Sequence, residues 1–340
     1  MAKKVGRNTI LMENNPMILS FASVVSKKEG DGPLSKYFDI INEDPLFDQD
    51  TWEKAENIMQ QQCINYLLNK ASLSTEDIDF LFAGDLQNQC AGSHYGVRNY
   101  KIPFLGLYGA CSTMAESLSM ASIFVDSKIA KKCLAITSSH FGASEKQFRF
   151  PCQYGGQRTP TAQWNVTGCG SIIVAENPDN KKNALTIKAV TIGTIEDWGI
   201  TDVNNMGAAM APAAANTILS HFENIKEDPN KYDLILTGDL GYIGSEILLD
   251  LLSKEGLDIS QNHNDCGQLI FDRIAQDVHS GGSGCGCSAS VLCSYILKSM
   301  QKKELRNILF IATGALMNPV ANKQNRSIPG IAHLVHISNY

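Results

Sequence analysis

Residues 78–86 read IDFLFAGDL, and residues 232–240 read YDLILTGDL. Each run is apolar, closes on Gly-Asp-Leu and opens into a polar loop. A second pair follows in the same order. Residues 108–118 read YGACSTMAESL, then comes helix-like sequence, then CLAITSS from Cys133. Residues 284–291 read GCGCSASV, again followed by helix-like sequence and by ILFIATGAL from Ile308. Two matched pairs in one order predict a duplicated α/β unit, each copy supplying a strand, a Cys-bearing turn and a buried helix. The expected halves are residues 1–194 and 195–340. No linker-like composition separates them, so one fused body is expected. The duplication also puts Cys111 and the Gly/Cys cluster at related points of a pseudo-symmetric core.

Working outward, strands are expected at Thr9–Met12, Met17–Val25, 78–83, 104–108, 134–138, 170–175, 185–190, 232–237 and 307–312. Apolar residues at three- and four-residue steps, from Trp52 through Met59 to Leu67, predict a helix over 50–70. Further helices are expected at 112–128, 208–220, 244–255 and 288–300. Residues 140–168 read as a long irregular excursion, and His263 is expected in a polar loop, NHNDCG, at 262–267. A connection as long as 140–168 is usually functional or disordered. Its aromatics, Phe141, Phe148, Phe150, Tyr154 and Trp164, argue for order.

The bulk composition excludes several classes. Hydrophobic residues make up 44% and charged ones 19% of 340 residues, an ordinary balance for a large packed interior. A formal net charge of −6 without any basic run argues against a nucleic-acid partner. No apolar stretch is long enough to span a membrane, and MAKKVGRNTI does not read as a signal peptide. The chain is expected in a cytoplasm-like compartment, meeting a membrane only as a peripheral protein or through partners. The ten cysteines sit largely in apolar or small-residue runs and read as reduced thiols. Cys285 and Cys287 lack a His or Cys-x-x-Cys partner, so no metal site is expected.

Cys111 is the sharpest candidate for chemistry. A strand, a Gly-Ala turn, the thiol and then Ser112-Thr113 place sulfur at a helix N-terminus, where amide hydrogens and the helix dipole favour a thiolate or an anion. A nucleophilic Cys needs a base. His140, after the strand ending Ser138-Ser139, and His263 are the candidates, while His279 reads as a solvated loop residue. Gly281–Cys287 carries four glycines before a helix and could cradle an anion or let two helices approach closely. Asp85 and Asp239 end equivalent strands and are expected to bond to adjacent loops rather than to act as acids or bases. Arg149, Arg158 and Lys146 are the cations of the long aromatic segment, where a carboxylate could be clamped.

The strand, the Gly-Ala-Cys-Ser turn, the central helix and the second Gly-rich turn together resemble the thiolase fold of thiolases and ketoacyl synthases. That resemblance implies a duplicated five-layer αβαβα body, a homodimer and an acyl-carrying role for the residue at Cys111. The chain departs from the ketoacyl synthase III pattern. Gly238 and Cys285 stand where an ungapped alignment expects the catalytic His and Asn. A narrower resemblance covers nearly the whole chain. GDLQNQ at 84–89, YGACSTMAES at 108–117, EKQFRFPCQYGGQ at 145–157, TGDLGYIGSEIL at 237–248, HNDCG at 263–267 and GGSGCGCSA at 281–289 resemble the stage V sporulation protein AD family. Cys152 stands where that pattern leads one to expect a hydroxyl. The resemblance implies a non-catalytic protein of spore formers that binds dipicolinic acid (pyridine-2,6-dicarboxylate). It further implies work with membrane-embedded proteins of the same operon to move dipicolinate, usually with calcium, across the spore inner membrane in sporulation and germination. The implied location is the forespore or spore, peripheral at that membrane. The expected ligand site gathers Cys111, Ser112, Ser138, Ser139, His140, Arg149, His263, Asp265 and Cys285, with no metal and no cofactor of its own. The alternative is a Cys-dependent acyltransferase or condensing enzyme acting on acyl-CoA, with His140 or His263 as base.

Overall fold

Ten strands carry the repeat in the computed structural model, which describes residues 2–148, 157–181 and 183–340. The first five are β1 (Met17–Ser26), β2 (Phe80–Gly84), β3 (Phe104–Gly106), β4 (Lys132–Ser139) and β5 (Gly168–Ala175). The second five begin ahead of residue 195, the start expected for the second half: β6 (Thr186–Thr191), β7 (Leu234–Thr237), β8 (His263–Asp265), β9 (Asn307–Ala315) and β10 (Gly330–Ser338). Their order across the sheet is β8-β7-β9-β10-β6-β1-β5-β4-β2-β3. Read outward from the centre, each set repeats the other. β2 runs parallel to β3 and β4, and β7 runs parallel to β8 and β9. β5 is antiparallel to β4 and β1, as β10 is to β9 and β6. The two sets meet at β1 and β6, through the Met17–Thr186 pair.

The helices repeat as well. The first set carries α1 (Trp52–Ala71), α2 (Ala91–Val97) and α3 (Thr113–Asp126). The second carries α4 (Met206–Ile225), α5 (Gly241–Lys254) and α6, which starts at Cys285–Val291 and continues through a π-helical turn, Leu292–Ile296, to Gln301. Both α3 and α6 contact strands of both sets. They form the central layer. α1 lies on the outer face of the first set and α4 on that of the second. Sequence explains the layering. α1 turns Met59, Cys63, Ile64 and Leu67 toward Leu81 and Ile136, while its other face carries Glu53 and Lys54. Strands β4, β5 and β9 are buried on both faces, which is why they read as unbroken apolar runs. The central core joins Met114 and Leu118 of α3 with Ile172, Phe310 and Val335.

Three sequence expectations change. The segment after β4 opens with a helix, Phe141–Phe148, rather than irregular chain. His263 lies on β8, an edge strand parallel to β7, because its loop is drawn into register with Ile235. β10 is a full nine-residue central strand that sequence reading passed over. Its run GIAHLVHIS is broken by His333 and His336, which hides its apolar character. Among the described residues no helix is long and apolar enough to cross a membrane.

Candidate functional site

The chain leaves β3 at Gly106 and turns sharply at Gly109-Ala110, where Ala110 adopts φ +50°. Side chains staple this turn. Ser112 Oγ donates to Gly109 O at 2.7 Å, and Thr113 Oγ1 donates to Ala110 O at 2.6 Å. Cys111 is thereby presented just ahead of α3 and is only 4% exposed. The amides of Ser112 and Thr113 are already bonded to Gly109 O and Ala110 O. The anion-binding capacity expected of this helix start is therefore partly spent inside the turn.

The group facing the thiol is a carboxylate. Asp239, just past β7, is wholly buried and close enough to Cys111 for its charge to act on the thiol. Asp239 also accepts from Ser283 Oγ at 3.1 Å, Gly284 N at 2.9 Å and Thr313 Oγ1 at 2.8 Å. Burial first, and the Asp239 charge second, push the Cys111 thiol well above its ordinary value. Gly238 leaves little space for a side chain: a Cβ there would stand 3.0 Å from Ala312 Cα and 3.0 Å from Thr313 N. Cys285, the counterpart at the start of α6, donates to Ser138 O at 2.9 Å, and burial raises its thiol in the same way. Cys111 and Cys285 share one small apolar cluster with Leu86 and Ala110.

The remaining expected residues are dispersed. Ser138 Oγ donates to Glu56 Oε1 at 2.8 Å and accepts from Gln60 Nε2 at 2.7 Å. Ser139 Oγ donates to Val166 O and accepts from Gly286 N, tying β4 to α6. His140 is engaged at both ring nitrogens, with Pro45 O at 2.8 Å from Nε2 and the Gly142 amide at 3.1 Å from Nδ1. Burial lowers its pKa. His263 Nε2 meets Thr237 Oγ1 at 3.1 Å, and burial lowers its pKa to about 4. Asp265 accepts from Thr237 Oγ1 and from the amides of Leu240, Gly241 and Gly267, which makes it a cap for the start of α5. Arg149 and Cys152 lie outside the described residues. Among the described residues no cluster of His, Cys, Asp or Glu could hold a metal ion.

The space at Cys111 is narrow, about 10 Å³, and is lined by Leu86, Tyr108, Phe148, Asn165, Met206 and Met317. That is at most room for one water. Neither His140 nor His263 lines it. These walls come from six separate segments, so no spacing in the sequence marks them. The one legible signal was Cys111 itself. Asp239 was visible as the end of a repeated strand, but its approach to the thiol is a product of the fold.

Comparison with known proteins gives the family and the fold. A family model, Stage V sporulation protein AD, matches residues 6–338. Stage V sporulation protein AD of Bacillus subtilis (strain 168) is 43% identical over 331 residues, covering 97% of this chain and 96% of the relative. Among solved structures, cerulenin-bound OleA of Xanthomonas campestris superposes with a TM-score of 0.63 at 11% identity, covering 96% of this chain and 99% of that one. The 3-oxoacyl-[acyl-carrier-protein] synthase III of Aquifex aeolicus VF5 gives 0.57 at 11% identity, covering 95% and 99%. At such identity these two establish a shared thiolase-like fold only.

Proposed function

The chain belongs to the stage V sporulation protein AD family, and from that premise we propose that it is a non-catalytic binder of dipicolinate. In this reading it serves, with membrane-embedded proteins of the same operon, to move dipicolinate across the spore inner membrane during sporulation and germination. It acts as a homodimer at the periphery of that membrane, and any calcium arrives with the ligand rather than in a protein site. The observation that carries the non-catalytic part is Asp239 against Cys111. A nucleophilic thiol needs a neighbour that stabilises its thiolate. A carboxylate does the reverse, and the cavity has no imidazole wall among the described residues.

The binding part is supported by the position of the cavity at the start of α3, with Tyr108 and Phe148 available to face a flat pyridine ring. Dipicolinate is far larger than the present space, so Phe148 and the methionines must give way as it enters. Arg149 follows Phe148 in the sequence and is the cation assigned to a ligand carboxylate.

The rival activity is acyl transfer from coenzyme A thioesters. Incubation with radiolabelled acetyl-CoA, followed by peptide mapping, separates the two. The proposal expects no label on Cys111. A labelled Cys111 peptide that disappears in Cys111→Ala would establish an acyl-enzyme and overturn the non-catalytic reading.

A further inference from the structure

A second concavity lies at the opposite end of the sheet. It measures about 550 Å³ and is lined by Lys181, Lys188, Lys303 and Arg306, with Asn15 and Asn339 among the polar groups between them. Among the described residues that line it, which include Tyr340, none has an acidic side chain, although the chain carries 35 acidic and 29 basic residues. None of the four cations is ion-paired among the described residues. Four cations gathered around one concavity repel one another. Among the described residues elsewhere on this surface some lysines are paired, as Lys27 with Glu43 and Lys254 with Asp250, and others are not.

The site is built on the framework. Thr186 starts β6, Arg306 immediately precedes β9, and Asn339 immediately follows β10, so the wall is made by the ends of three strands of the second set. Asn339 N donates to Arg306 O at 3.0 Å, and Asn339 Nδ2 is anchored on Met300 O. Lys188 Nζ is held by Asn15 Oδ1 at 3.0 Å. Burial lowers the pKa of Lys188, the cost that a bound anion would offset. β9 separates this pocket from the Cys111 cavity. Arg306 precedes its first residue and Ala315 ends it, a distance of roughly 25–30 Å at the usual rise per residue.

We propose that this pocket is a binding site for a small, multiply charged phosphate-bearing anion, held by Arg306 through a paired hydrogen bond and by Lys181, Lys188 and Lys303 as point charges. The phosphate can belong to a soluble molecule or to a lipid headgroup. This proposal stands apart from the reading of the Cys111 cavity.

Calorimetry of the full chain with inorganic pyrophosphate tests it, alongside sedimentation with phosphatidylglycerol vesicles. The expected result is saturable binding that weakens with added salt and falls roughly tenfold or more in Lys188→Gln/Arg306→Gln. Lys323→Gln, outside the pocket, should bind as the parent does. Urea midpoints and circular dichroism verify that the variants are folded, and Lys303→Gln serves if the double variant is not. Binding of pyrophosphate without vesicle capture assigns a soluble anion. Vesicle capture alone, lost in the same variant, assigns a headgroup. The proposal is overturned if the parent binds neither probe, or if folded variants bind both as the parent does.

Discussion

At Cys111 one neighbour decides the chemistry. The turn that displays the thiol resembles that of an acyl-carrying enzyme, but the thiol faces Asp239, and the carboxylate works with burial to keep it protonated. Replacing Asp239 by Asn removes that charge and should lower the thiol's pKa. Alkylation of Cys111 by iodoacetamide, followed by peptide mass spectrometry near neutral pH, should then proceed faster than in the parent. An unchanged rate would mean that burial alone governs the thiol. The same substitution disturbs a carboxylate that accepts from Ser283, Gly284 and Thr313. A stability loss of about 1–3 kcal/mol is expected, read from the urea midpoint. His140 shows the limit of reading a residue from its place in the chain. It follows β4 as expected, yet the ring turns away to Pro45 O and takes its second bond from Gly142 N. Nothing in SSHFG specifies that rotation, since the partner lies 95 residues earlier.

At the scale of elements, the central helices sit against the sheet with no slack. A Cβ on Gly286 would press on Gly168 O and stand 2.6 Å from Ser139 Oγ and 2.8 Å from Ser139 N. Gly286→Ala would gain up to about 1 kcal/mol of helix propensity. Overpacking costs about 1–3 kcal/mol, and here the obstacle is largely backbone, which cannot swing aside. The net outcome expected is a lowered urea midpoint; a raised one would show that α6 is free to shift. This close approach is why the Gly-rich turn could be read both as a cradle and as a packing device. Its bonds to β4 support the packing role, since Ser139 receives the Gly286 amide. Most strands were legible because burial on both faces leaves only apolar residues. β10 was not, because His333 and His336 interrupt the pattern at positions where the fold holds them neutral, each with a pKa lowered to about 4. The helix Phe141–Phe148 was hidden for a different reason: it is short, and Gly142 and Ser144 give it poor intrinsic propensity.

At the scale of the whole molecule, duplication was legible because both copies kept the same strand ends, and strand order repeats accordingly. The fold also buries acids that the sequence presents as ordinary. Glu56 is raised from 4.5 to about 8, first by burial and then by Asp85, and Glu29 is raised to about 7 by burial. For an acid raised in the folded state, the native chain holds its proton more tightly than the unfolded chain does. The resulting stability is fully present below about 4.5 and is lost as pH rises through about 7 to 8. The urea midpoint should therefore fall across that window. Glu56→Gln, which copies the protonated shape, should shallow the decline, and a decline of equal slope would remove Glu56 from the account. The central claim remains that the cavity above Cys111 receives dipicolinate instead of an acyl group. Calorimetric titration of dipicolinate into the full chain and into Cys111→Trp tests it most directly. The account predicts saturable binding to the parent and a loss of roughly tenfold to a hundredfold in the folded variant, the size of one charge-assisted hydrogen bond. Equal affinity in parent and variant, or no binding to a folded parent, would contradict it.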